Sequence, residues 1–173
     1  MISMKVANNT DLDVIDELYR DCIQHLNDQQ IYQWDEKYPN IETYKNNIKL
    51  KKQYIFQDED RCIGAVILNE VQAGEWGVMP WEYLDGKSLI IHALAINPLA
   101  QGNGYGQQVL QLCETYGVGH GYSAVRLDVF SENQVAINLY EKNQYKRVGA
   151  VHFDYKPVGH EVYYCYEKVL SDK

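Results

Sequence analysis

The residue types best suited to chemistry cluster between positions 88 and 107, in Ser88-Leu-Ile-Ile-His-Ala-Leu-Ala-Ile-Asn-Pro-Leu-Ala-Gln-Gly-Asn-Gly-Tyr-Gly-Gln107. An apolar strand pattern runs into Asn97-Pro98, a glycine-rich stretch follows, and Gly106-Gln-Gln-Val-Leu-Gln-Leu112 opens a helical pattern. A strand, a glycine loop and a helix N-terminus in succession make an anion site. The loop and first-turn amides lack backbone partners, and the helix dipole presents its positive end. The spacing Gln101-x-x-Gly104-x-Gly106 excludes two familiar phosphate loops. A dinucleotide fingerprint requires glycine at 107, where Gln107 stands, and a Walker loop requires Gly-Lys-Ser/Thr, with no lysine here. The plain alternative is a strand-to-helix turn that uses glycine for its positive φ. His92 interrupts the same apolar strand. An imidazole of pKa about 6.5 suits proton transfer, although a strand histidine also serves as a hydrogen-bonded core residue.

The elements that must position these residues follow from apolar periodicity. Met4-Lys-Val-Ala7 is a short strand, Asn9-Thr10-Asp11 offers helix caps, and Leu12, Ile15, Leu18, Tyr19, Cys22, Ile23 and Leu26 recur at helical spacing. Residues 29–35 read as a second short helix, and a further helix is expected at about 41–51, after Pro39-Asn40. Gln53–Gln57 and Arg61–Asn69 flank Asp58-Glu-Asp60 as an antiparallel hairpin. Residues 71–87, rich in glycine and carrying Trp76 and Trp81, read as a long loop with some strand. Strand 88–96, helix 105–118, strand 124–130, helix 133–142 and strands 145–153 and 161–169 complete the chain. With no linker, repeat or low-complexity tract, the expectation is one domain over 1–173. Its class is mixed α/β, with a mainly antiparallel sheet of about seven strands flanked by helices.

Composition narrows the function classes. A length of 173 residues with a hydrophobic share of 46% suits one domain with a core that needs no staples. Cys22, Cys62, Cys113 and Cys165 are widely spaced with no Cys-x-x-Cys pair, so no metal site is expected and a reduced, cytoplasmic setting is the default. The polar start Met1-Ile-Ser-Met-Lys5 lacks a signal-peptide core, and no run of eighteen apolar residues occurs, so no membrane partner is expected. A net charge of −8 disfavours nucleic acid, which needs clustered Lys/Arg. The basic stretch Lys45 to Lys52 is interrupted and reads as a solvated helix face.

Two further segments complete a pattern. Arg126-Leu-Asp-Val-Phe-Ser-Glu-Asn133 is a strand running into an asparagine, and Asn133-x-x-Ala136-x-x-Leu-Tyr140-Glu-Lys-Asn-Gln-Tyr145 follows. With the Gln101–Gly106 loop, these resemble, in order and spacing, the motifs of the GCN5-related N-acetyltransferases (GNAT), over residues 88–150. One departure is visible: the glycine usual before the final aromatic is Gln144 here, so that turn lacks a residue that takes φ > 0 freely.

The resemblance implies a GNAT-like acyl-CoA N-acyltransferase fold and acetyl-CoA as acyl donor. It implies that the backbone of Leu94, Ala95 and Ile96 hydrogen-bonds the pantetheine arm as an added strand would. Amides of Gln101, Gly102, Asn103, Gly104, Tyr105, Gly106 and Gln107 hold the pyrophosphate, and Asn133 contacts the donor near the pantetheine, with Ala136 leaving room beside it. Tyr140 matches the family's general acid; a phenol of pKa about 10 can protonate an emerging thiolate. His92 resembles a histidine of the arylalkylamine branch and is the leading general base, with Glu36, Glu70 and Glu75 as alternatives acting through water. A backbone N–H in 94–96 would meet the oxyanion.

The expected activity is acetyl transfer from acetyl-CoA to a primary amine, a small molecule by preference, by direct attack. Cys113 lies mid-helix on the apolar side, which suits packing rather than an acyl-enzyme. Trp34, Tyr38, Trp76, Trp81 and Tyr83 would line an aromatic acceptor pocket, and the acidic balance suits a cationic amine. Alternatives are a protein N-terminus or lysine as acceptor, and a non-catalytic acyl-CoA sensor. A homodimer is a further implication of family habit.

Overall fold

The computed structural model describes residues 1–170; residues 171–173, part of the expected domain, lie outside the described residues. Seven strands are ordered β1-β2-β3-β4-β5-β7-β6 in a mostly antiparallel sheet. They are β1 (Ile2–Val6), β2 (Gln53–Asp58), β3 (Arg61–Asn69), β4 (Ser88–Ile96), β5 (Ala124–Phe130), β6 (Lys146–His152) and β7 (Val162–Val169). Four α-helices accompany them: α1 (Leu12–Asp28), α2 (Ile41–Lys49), α3 (Tyr105–Gly119) and α4 (Gln134–Lys142). This is the expected mixed α/β class. The described residues pack as two compact units, 1–68 with 92–112 and 69–91 with 113–170, so β4 and α3 each contribute to both.

In the first unit β1, β2 and β3 form an antiparallel ladder, with Ile2 opposite Asp58 and Gln53 opposite Ile67. Helix α1 buries Ile15, Leu18, Tyr19 and Cys22, the i, i+3, i+4, i+7 stripe that its sequence advertises. These pack with Tyr44 and Ile48 of α2, Ile55, Ala65 and Ala95 into one core. Asp11, one of the three expected caps, holds the N-cap position of α1 without a side-chain cap bond, and the side-chain cap comes from Asn8 just before it. Asn8 Oδ1 accepts from Thr10 N at 2.8 Å while its own N–H donates to Asp11 Oδ2 at 2.9 Å, a reciprocal capping box on a 3-10 turn at Asn9–Asp11. Asn40 and Thr43 repeat the device at α2.

The expected helix at 29–35 does not form. Gln30 turns left-handed at φ 60°, and Asp35 Oδ1 accepts from Lys37 N at 2.8 Å and Tyr38 N at 3.3 Å, closing a local turn across an Asp35–Tyr38 bridge. Such short-range carboxylate bonds compete with helix formation.

In the second unit β4 and β5 pair in parallel at Ser88–Ile90 with Ala124–Arg126, and β5 pairs antiparallel with β7 along its full length. The near-continuous burial of β5 is what an interior strand requires. Residues 71–87 contain a 3-10 turn at Gly74–Val78, and among the described residues the strand expected within them is absent before Ser88. No helix among the described residues is long and apolar enough to cross a membrane.

The departure at Gln144 has a structural counterpart. Gln144 sits at φ 68° just beyond α4, with its N–H to Glu141 O at 3.1 Å and Tyr145 N–H to Tyr140 O at 3.1 Å. This is a complete Schellman motif with glutamine where glycine is easiest, and the Tyr140 and Tyr145 rings supply its apolar contact at 5.9 Å. Because Gln144 is exposed, Gln144→Gly is expected to raise stability by about 0.5–1 kcal/mol, read as an increase in the denaturation midpoint. An unchanged or lower midpoint refutes this account of the turn.

Candidate active site

The first unit carries the glycine loop. Asn97 N–H bonds Ile63 O at 2.8 Å at the end of β4, and Asn97 Oδ1 accepts from Leu99 N at 2.9 Å, starting a 3-10 turn at Pro98–Ala100. Gln101 Nε2 donates back to Ile96 O at 3.2 Å, and Asn103 Nδ2 donates to Ala100 O at 3.0 Å. The loop is thus pinned by its own side chains. Gly102 and Gly104 adopt φ 83° and 75°, and nothing lies within 4 Å of where a Cβ would stand at either. Conformation demands glycine there, and the space beside the backbone is open for a ligand. At the first residue of α3, Tyr105 OH donates to Asp58 Oδ2 at 2.6 Å, which fixes the helix start against β2 and holds the Asp58 carboxyl below its usual range. The open backbone at a helix N-terminus fits a pyrophosphate; no lysine or arginine lies between 97 and 107 to supplement it.

The strand feeding this loop holds a feature that periodicity did not reveal. Ala93 takes φ 48°, a left-handed conformation uncommon for a residue with a Cβ, in the middle of β4. Tyr19, fully buried on α1, donates its hydroxyl to Ala93 O at 2.6 Å, and Cys22 Sγ contacts Ile96 O at 3.4 Å. Burial pushes the Cys22 thiol up to about 12, so it stays protonated as a donor. Tyr19 stacks on Tyr44 at 4.7 Å and meets Trp34 edge-on at 6.0 Å. Across the ladder, a Cβ at Gly64 would lie 2.6 Å from Ala95 O, so β3 uses glycine to admit that carbonyl. His92 is half-buried and immediately precedes Ala93, with Leu94, Ala95 and Ile96 following it.

The second unit carries the other candidate residues. Asn133 caps α4 through Oδ1, which accepts from Ala136 N at 3.2 Å, so both matched positions have a structural role at the helix start. Tyr140 is buried on α4, and burial first, then the charge of Asp128, pushes its phenol well above the usual range. It therefore stays protonated at neutral pH. In the sequence Asp128 stands as the single carboxylate of the mostly apolar β5 run. Desolvation raises its pKa to about 6, against a 3.1 Å hydrogen bond from Trp76 Nε1 and the charge of Lys156, both of which lower it, while Glu75 raises it.

Other sequence candidates separate by environment. Glu70 receives Tyr122 OH at 2.9 Å and faces Lys87 at 3.9 Å on the surface. Glu75 lies within electrostatic reach of Asp128, and Glu36 is exposed in the first unit. Trp76, Trp81 and Tyr83 belong to the second unit, where the two indole rings lie 5.1 Å apart. Trp34 and Tyr38 belong to the first unit, where Trp34 flanks the core. Cys113 is fully buried and burial drives its thiol upward, as a packing residue requires.

Comparison with known proteins defines the class. The Acetyltransferase (GNAT) family model matches residues 15–145. A GNAT-family acetyltransferase of Streptococcus agalactiae has a TM-score of 0.78 at 20% identity, covering 99% of this chain and 96% of that one. Arabidopsis thaliana NAA60, solved with a bisubstrate analogue, gives 0.72 at 17% identity with both chains covered in full (100%). The ribosomal-protein-S18-alanine N-acetyltransferase of Escherichia coli gives 0.70 at 15% identity, covering 100% and 96%. No curated protein sequence matches. The fold and the matched residues define an acetyl-CoA-dependent N-acetyltransferase. The chain belongs to the GNAT acetyltransferase family.

Proposed function

We propose that this protein is a cytoplasmic enzyme, one domain over 1–173, that acetylates the primary amine of a small molecule by direct attack. The observation that carries the reading is the pairing of proton carriers in the second unit. Tyr140 is a phenol held protonated within the electrostatic reach of Asp128, a carboxyl that titrates near neutrality at about 6.

Acetyl-CoA supplies an activated thioester. The amine nitrogen forms a bond to the carbonyl carbon, the carbon–sulfur bond breaks, Tyr140 gives its proton to the sulfur, and the nitrogen's surplus proton goes to a base. The amides of residues 101–107 hold the pyrophosphate, and the backbone of 94–96, next to Ala93, serves the pantetheine and the oxyanion. Asn133 and Ala136 border the donor arm at the start of α4.

Asp128 is the favoured base, because its raised pKa lets it take and release a proton near neutral pH. His92 is the second reading, favoured by its half-buried position beside the left-handed Ala93. Release of free coenzyme A is to be followed with a panel of amines, peptides with free N-termini and lysine peptides. Turnover of small amines above peptides supports the reading; turnover of peptides alone replaces the acceptor class, and tight donor binding without any turnover makes the protein a sensor. On the favoured reading His92→Ala retains kcat within about tenfold. A loss of about 10²-fold or more transfers the base role to His92.

A further inference from the structure

Arg126 and Glu167 face each other across β5 and β7 as a buried ion pair, Nε to Oε2 at 2.8 Å, with 8% and 2% of their side chains exposed. Neither belongs to the roles above, and breaking such a pair is costly in a dry interior. Their spare hydrogen-bonding capacity is spent on one segment. Glu167 Oε1 accepts from Glu82 N at 2.7 Å and Tyr83 N at 3.2 Å, while Arg126 Nη2 donates to Tyr83 O and Nη1 to Gln72 Oε1 at 3.2 Å. The guanidinium also lies 4.4 Å from the Trp81 ring centroid. Trp81 Nε1 donates to Trp76 O at 3.1 Å, and Trp76, buried, donates Nε1 to Asp128 Oδ2 at 3.1 Å.

These contacts form one chain from the ion pair to a carboxylate. We propose that Arg126 and Glu167 are positioning residues that clamp the 72–83 segment, so that Trp76 holds the Asp128 carboxylate in one orientation with one hydrogen bond. A loop of this length with only a 3-10 turn is otherwise free to move. The charged pair contributes bonds of fixed direction that an apolar contact would not.

The kinetic part rests on Asp128 as base. The titratable groups around Asp128 are Glu75 beside Trp76, Lys156 and Tyr155 in the β6–β7 connection, Tyr140 of α4 and Cys165 of β7. Glu167→Gln and Trp76→Phe are compared by the pH profile of kcat/KM, and Glu167→Gln also by acrylamide quenching of selectively excited tryptophan in a Trp34→Phe background, where Trp76 and Trp81 are the remaining tryptophans. Loss of the indole donor in Trp76→Phe moves the acidic limb up by about 0.5–1 pH unit. Glu167→Gln moves it in the same direction, the double variant goes no further than Trp76→Phe, and quenching rises. A folded Glu167→Gln protein with unchanged profile and unchanged quenching overturns the proposal. If Asp128→Asn and Trp76→Phe both leave the limb in place, Asp128 is not the base. Quenching alone then decides the clamp, which stands if Glu167→Gln raises it and falls if it does not. Should Glu167→Gln fail to fold, Trp81→Phe removes the link to Trp76 O while leaving the ion pair. An upward shift of the limb supports the proposal, and no shift overturns it.

Discussion

Asp128→Asn is expected to lower activity and raise stability at the same time. As base, Asp128 carries proton transfer worth about 10²–10⁴ in rate, so kcat/KM of the asparagine variant falls by that order and its acidic limb, with apparent pKa about 6, disappears. Stability moves the other way. The folded pKa, about 6, lies above the ordinary 3.8, so between these values the native state binds more protons than the unfolded chain. Stability therefore falls as pH rises through that window, and the full penalty is present above the folded pKa, on the order of 2–3 kcal/mol. The asparagine variant carries no such penalty, and Trp76 Nε1 can still donate to its amide oxygen. Its thermal midpoint should exceed the parent's at pH 7 and match it near pH 3.5. A lower midpoint at pH 7 means that the carboxylate is structurally required, and retained activity removes it from the chemistry.

Tyr140→Phe is the second large expected effect. The ring packs near Tyr145 and Tyr166, at 5.9 and 6.1 Å between centroids, and phenylalanine keeps that packing. Stability should change by less than about 1.5 kcal/mol, as for a near-isosteric exchange, while kcat falls by about 10²–10⁴-fold with the KM for acetyl-CoA little altered. The depressed rate should also lose any alkaline dependence on a phenol. A rise in KM with unchanged kcat would assign Tyr140 to binding, and full turnover would leave it as a packing residue of α4.

Both residues belong to segments whose types and spacing are distinctive, yet only one was legible as chemistry. Tyr140 stands at a fixed interval from Asn133 and Ala136 on one helix, where position along the chain maps directly onto a face. Asp128 is one carboxylate in a strand. Its proton affinity depends first on burial and then on Trp76, Lys156 and Glu75, which are distant in sequence and enter only through folding. The conformation of Ala93 is similar. Alanine has no propensity that foretells φ 48°, and it is the Tyr19 hydroxyl, 74 residues away, that meets its carbonyl.

By itself the sequence determined what is local. It set the alternation and apolar stripes that make seven strands and most of the helices, the glycines at 102 and 104 that a left-handed backbone demands, and the motif spacing that defines the family. It also marked Gln144 as a residue out of place, since a missing glycine shows without knowledge of contacts. The tertiary structure alone decided which carboxylate is pushed toward neutrality and how Arg126 and Glu167 hold the 72–83 segment. Those outcomes rest on desolvation and on hydrogen bonds between residues far apart in the chain, which no local pattern encodes.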